Sequence, residues 1–190
     1  MRILTVRQPW AWAIIHGGKD VENRVRNIAG DYRGPVAIHA GLARAAAGDA
    51  QVVAHRVLTR CRASLVDWST GQAHGVILGV VDLVGAHRAF GDNPGGHNLC
   101  GYGEQCSEWG EPRGWHLELA RPHALADPIP YRGALGLRRL DDDTTARILA
   151  QIDRPLCPEC RDGKHRNCTG WALDAADEMI PCHCDHGDLP

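Results

Sequence analysis

The chain has 190 residues, 44% hydrophobic and 23% charged, the make-up of an ordinary soluble globular protein, and it is long enough to bury a core in one domain plus an appendage or in two small domains. No run approaches the ~20 apolar residues of a membrane helix, and the opening MRILTVRQPWAW lacks the apolar core and cleavage site of a secretory signal, so a cytoplasmic protein with no membrane partner is expected. The net charge of −2 is uneven: residues 151–190 carry four basic and eight acidic side chains, which leaves the first 150 mildly basic, too weakly to establish a nucleic-acid partner without clustering on one face.

Arg2 to Val6 reads as a short strand. Gln8-Pro9 opens a helix, with proline near the first turn where its missing N–H is tolerated, and Trp10, Ala11, Ala13, Ile14 and Ile15 form its apolar set. Gly17-Gly18 stops that helix as a C-cap would, and Asp20 to Val25 follows as an extended segment. Tyr32-Arg33-Gly34-Pro35 is turn chemistry ahead of a strand at 36–40. Residues 42–62, rich in alanine, read as an amphipathic helix. Gly75 to Gly85 is a buried strand, with Gly79 marking a bulge or a close approach and Asp82 out of place in the apolar run. Residues 88–114 lack periodicity and read as a long loop. A half-buried strand covers 115–119, Pro128 to Gly133 is a turn, 134–140 a final strand, and Asp141 to Thr145 cap a helix running to Ile152. Short strands at irregular spacing suggest a small closed or partly open barrel rather than a doubly wound sheet.

Up to residue 150 the chain uses arginine throughout and lysine once, at Lys19, in Gly17-Gly18-Lys19-Asp20-Val21-Glu22-Asn23-Arg24. Lysine is a compact point charge whose pKa moves readily on burial, whereas arginine stays charged. On a strand, alternate residues share a face, so Glu22 and Arg24 point the same way, with Lys19 at the corner where helix end and strand start form the lip of a cleft. Lys19, Glu22 and Asp82 are the candidate catalytic groups: a lysine polarises a carbonyl while a carboxylate activates water. The same trio also serves as a static ion-pair network. Arg7, Arg24, Arg26 and Arg33 lie near Trp10, Trp12 and Tyr32 in sequence, and cations for phosphates beside aromatic planes for bases suit single-stranded nucleic acid. Arg7, Trp10, Lys19, Arg24, Arg33 and His39 are the candidate ligand-binding residues.

The ordered matches Leu4 to Ala11, Gly17-Gly18-Lys19 with Glu22 and Arg24, Tyr32 to Pro35 with Ile38-His39-Ala40, Gly79 to Leu83, and Pro128-Ile129-Pro130 with Arg132 to Leu137 span residues 2 to 140. On these the chain resembles the ASCH family of PUA-like β-barrels. The resemblance implies an α+β fold, a small mixed barrel with flanking helices, and a cleft walled by the Gly-Lys motif that binds RNA or a nucleotide. One bacterial branch of that family deacylates N4-acetylcytidine. That branch places a threonine three residues after its lysine, where this chain has Glu22, and adds a glutamate from a later strand, whose best match here is Asp82.

Eight cysteines in a cytosolic chain argue for metal sites or isolated thiols rather than a disulfide framework. His97, Cys100, Cys106 and His116 form a loosely spaced set in the long loop. Cys157, Cys160, Cys168, Cys182 and Cys184 fall within 28 residues, and the Cys157-x-x-Cys160 knuckle with a second pair completes a tetrahedral Zn²⁺ site. The expected organisation is a barrel domain over 1–153 and a zinc-stabilised module over 154–190. The function expected is RNA or nucleotide binding at Lys19. A hydrolase acting on a modified nucleoside or on RNA is the alternative, as is an adaptor that recruits a protein through the zinc module.

Overall fold

The computed structural model describes residues 1–44, 46, 48–60, 73–92, 98–100, 106–152, 158–161, 167–169, 171–173 and 179–181. The chain divides into two compact units, Met1–Thr145 and Ala146–Pro190. The first carries β1 (Arg2–Gln8), α1 (Trp10–His16), β2 (Val21–Arg24), β3 (Gly34–Arg44), α2 (Asp49–Arg60), β4 (Val76–Asp92), β5 (Asn98–Cys100), β6 (Gly114–Pro130) and β7 (Leu137–Arg139). Helix α3 (Asp142–Ile152) crosses the division. Its start is capped as the sequence suggests: the Asp141 carboxylate accepts from the Thr144 backbone N–H at 2.7 Å and from its hydroxyl at 2.9 Å. The second unit adds α4 (Pro158–Arg161) and an antiparallel pair, β8 (Trp171–Leu173) and β9 (Met179–Pro181).

The sheet of the first unit is a curled half-barrel in the order β2-β6-β4-β3-β1-β7, with β5 paired to β4. Among the described residues β1 and β3 run parallel and the other pairs antiparallel. The long β4–β6 ladder breaks register at Ile77/Gly79, Val80/Asp82 and Leu83/Gly85. Each extra residue bends its strand and increases local twist, which curls a long pair instead of leaving it flat. The main core cluster packs Ile14 of α1 with Leu4, Ile38, Leu78, Leu83 and Leu117 of the sheet. A second cluster joins Trp12 and Ala13 of α1 to Val53 and Val57 of α2 and to Trp109.

Four expectations change. The helix expected over 42–62 begins only at Asp49, because β3 continues to Arg44 and pairs Gly41 with Arg7 and Arg44 with Gln8; ladder partners override the helix preference of alanine there. The stretch 88–114 is not one loop: β4 runs to Asp92, pairs with β5, and its Ala89 faces Gly114 at the start of β6. The Pro128 to Pro130 turn is instead the end of β6, with Pro130 opposite Val76. The Tyr131 N–H donates to the Gly75 carbonyl at 3.0 Å, so positions 128 and 130 turn the other way, where β2 does not reach and a missing N–H costs nothing. The strand expected over 134–140 shortens to Leu137–Arg139.

Candidate functional site

Helix α1 ends at His16, where the N–H groups of Gly17 and Lys19 both reach the Ala13 carbonyl at 2.9 Å. Gly18, at φ 70°, takes the left-handed conformation that lets the chain double back so sharply. Gly17 is needed for space, since a Cβ there would lie 2.9 Å from Ala13 Cα and 3.0 Å from Val57 Cγ2. The turn aims Lys19 inward, and only 4% of the residue is exposed. Its Nζ donates to the Val21 carbonyl and pairs with Glu22 Oε2 at 3.6 Å. Glu22 Oε1 pairs in turn with the Arg24 guanidinium at 2.9 Å, and Arg24 donates to the Thr5 carbonyl at 2.9 Å. The same-face placement of Glu22 and Arg24 is what the alternation of the strand requires. The rings of Trp10 and Trp109 flank the amine at 5.7 and 5.9 Å, within cation–π range. Burial draws the lysine pKa below its ordinary 10.5, opposed first by Glu22 and then by Glu111 and Asp20.

This triad forms part of the wall of a cavity of about 930 Å³, the upper part of the size range of small-molecule sites. Arg7, Trp10, Lys19, Glu22, Arg24 and His39, all singled out in the sequence, line it. Arg33 and Asp82 do not. Arg33 donates to the carbonyls of Gly30 and Tyr32 in its own turn, and the Asp82 carboxylate pairs with Arg121 at 2.7 Å. Trp109, Arg132 and Tyr131 complete the wall, from segments read as loop or turn. A tryptophan in a glycine-rich stretch was the available signal, for Trp109 is 1% exposed.

Four buried polar side-chain atoms lack a hydrogen-bond partner among the described residues: Arg24 Nε, His39 Nδ1, Trp109 Nε1 and His87 Nε2. The first three belong to residues that line the cavity. Buried polar groups are nearly always paired, so each orphan asks for an explanation. The His39 Nε2 bonds the Tyr131 carbonyl at 2.9 Å, which leaves Nδ1 as an acceptor. Burial lowers this imidazole below 6.5. As pH falls, the unfolded chain therefore takes up the proton first, and stability is lost from about pH 6.5 downward to the lowered folded value. His39→Gln is expected to flatten that acid limb in urea titrations at pH 5, 6 and 7; an unchanged slope would assign the loss elsewhere.

His87, Cys100, Cys106 and His116 offer a metal ion four donor atoms, all within 4.8 Å of one another. Of the loop set read in the sequence, His97 lies outside the described residues and His87 stands in its place. Among the tail cysteines, Cys157, Cys182 and Cys184 lie outside the described residues, as does the side chain of Cys160, while Cys168 is half-buried.

No family model matches the chain, and no curated protein does. Among solved structures it is similar to a mutant form of ZmASCH from Zymomonas mobilis, at 16% identity and a TM-score of 0.43, over 78% of this chain and 96% of that one.

Proposed function

We propose that this protein binds RNA or a nucleotide in the cavity around Lys19, as the ASCH resemblance of its sequence implies. The observation that carries the reading is a cavity of about 930 Å³ whose wall sets Trp10 beside Arg7, Lys19, Arg24 and Arg132. An aromatic plane for a base beside cations for phosphate is the combination a nucleotide requires. Trp10 offers a stacking face and Arg7 and Arg132 offer charge for phosphate, and the basic residues Arg7, Lys19, Arg24, Arg56 and Arg132 outnumber the carboxylates of Glu22, Asp49 and Glu111 along the wall. Base–aromatic stacking is worth about 1–3 kcal/mol per base, so Trp10→Ala is expected to weaken binding of a short single-stranded RNA roughly tenfold or more. Lys19→Met should weaken it as well, in fluorescence anisotropy at fixed salt. Affinity unchanged in both variants would sink the reading.

A buried amine of lowered pKa beside a carboxylate favours a second reading, hydrolysis of an acylated nucleoside, with Lys19 polarising the carbonyl and Glu22 activating water. Release of acetate from N4-acetylcytidine by wild type and not by Lys19→Met would establish it. For the tail, the spacing of Cys157 and Cys160 supports a structural zinc completed by two of Cys168, Cys182 and Cys184, a small module suited to recruiting a protein.

A further inference from the structure

We propose that His87, Cys100, Cys106 and His116 form a structural zinc site within the first unit, separate from the cysteines of the tail. The donors come from four places in the chain: β4, β5, the turn at Cys106, and β6. The β4–β6 register sets His87 directly opposite His116, with the rings 5.2 Å apart and nearly perpendicular. Cys100 Sγ lies 3.3 Å and Cys106 Sγ 3.1 Å from His116 Nδ1, and the two sulfurs are 3.3 Å apart. Zn–S bonds near 2.3 Å and Zn–N bonds near 2.0–2.1 Å place neighbouring donors of a tetrahedron about 3.3–3.8 Å apart. The three distances among Cys100, Cys106 and His116 meet that spacing with a small outward shift, and with His87 all four donors lie within 4.8 Å of one another.

The imidazoles are set up for it. His116 Nε2 donates to the Glu111 carbonyl at 2.8 Å, so its Nδ1 presents a lone pair to the thiols. His87 Nδ1 meets the Glu118 carboxylate at 2.6 Å, so its lone pair is on Nε2, the fourth orphaned buried atom. A carbonyl or carboxylate on the far nitrogen is the usual support of a zinc-bound histidine, fixing its tautomer and raising its basicity. Glycines make room for both rings and their props. Gly85 faces Glu118 across the ladder, and a Cβ there would collide with the carboxylate that holds His87. A Cβ at Gly110 would lie 2.8 Å from His116 Cε1. Two thiolates and two imidazoles with no open position select zinc in a closed, structural role.

The ion would fasten the segment 106–111 to the sheet, and that segment supplies part of the cavity wall. Ser107 hydrogen-bonds Asp20 next to Lys19. Asn23 of β2 donates to the Trp109 carbonyl at 2.8 Å and accepts from the Glu111 N–H at 3.0 Å.

The test is metal analysis of the full-length chain carrying serine at all five tail cysteines, purified under reductant. About one equivalent of zinc is expected, lost on adding Cys106→Ser. Cobalt substitution should give the visible bands of a tetrahedral ion with charge transfer from two thiolates. Glu118→Ala should weaken zinc in chelator competition by about 10–100-fold while all four ligands remain. Zinc absent from the tail-substituted chain, zinc retained after Cys106→Ser, or a Cys100–Cys106 disulfide in its thiol titration would overturn the proposal. Should the tail-substituted chain fail to fold, Cys100→Ser with Cys106→Ser in the intact chain must lower the zinc content by one equivalent, and an unchanged content refutes the site.

Discussion

Lys19→Met is expected to leave the protein as stable as wild type or more so, whereas Glu22→Ala should cost about 3–5 kcal/mol. Both residues belong to one buried triad, but they stand differently in it. Removing Lys19 leaves Glu22 paired with Arg24 at 2.9 Å and replaces a desolvated amine by a thioether that fits between Trp10 and Trp109. Removing Glu22 takes from Lys19, only 4% exposed, its direct ion-pair partner and leaves it the weaker fields of Glu111 and Asp20, and breaking a buried pair from one side is among the largest single penalties a point mutation brings. A site kept at the expense of stability is the mark of a functional residue. Urea denaturation of both variants decides the matter: equal losses would mean that Lys19 is itself a stabilising partner. The pH dependence gives a second reading of the same group. Its folded pKa is lowered, so between that value and 10.5 the unfolded chain holds the proton that the folded one has released. Wild-type stability should therefore gain from this group as pH rises through that window. The gain should vanish in Lys19→Met.

Gly79→Ala is expected to destabilise the first unit by about 1–3 kcal/mol. Gly79 lies on β4 where the sheet passes beneath α1. A Cβ there would strike the backbone carbonyl of His123 on β6 and come within 2.8 Å of Ile15 Cδ1. Ile15 can turn aside, but the His123 oxygen is part of the ladder and cannot move without opening it. Trimming Ile15 to valine in the same chain should therefore recover only part of the loss. Full recovery would show that the helix contact alone requires glycine. Thermal melts of the single and double variants separate the two cases.

The Lys19 motif was readable because its geometry is local. A helix stop, two glycines and the alternation of one short strand fix Lys19, Glu22 and Arg24 relative to one another, and the structure keeps that arrangement. Asp82 lies outside the cavity wall and its position depends on distant register. A break between Val80 and Asp82 shifts its pairing with β6, and Arg121 accounts for a carboxylate in an apolar run. His87 escaped notice for the same reason, since only the β4–β6 pairing reveals that it faces His116. The strand character of 88–92 was hidden because polar side chains and glycine interrupt the period-2 pattern, and a ladder with β5 and β6, not local preference, makes it extended. Trp109 comes to the cavity through Asn23, 86 residues away in the chain, a contact that no local pattern announces.

The place of β1 in the sheet has a consequence for how the chain is made. The strand at residues 2–8 lies between β3, close in sequence, and β7, at 137–139, with the Leu140 N–H closing onto the Met1 carbonyl at 3.2 Å. During translation one side of β1 therefore stays bare until residues 137–139 have left the ribosome, and such distant pairing slows folding. Until β7 arrives, the nascent protein carries an open edge able to capture a second chain. A product released short of residue 137 keeps that edge permanently and should aggregate, even though its Lys19 motif is complete.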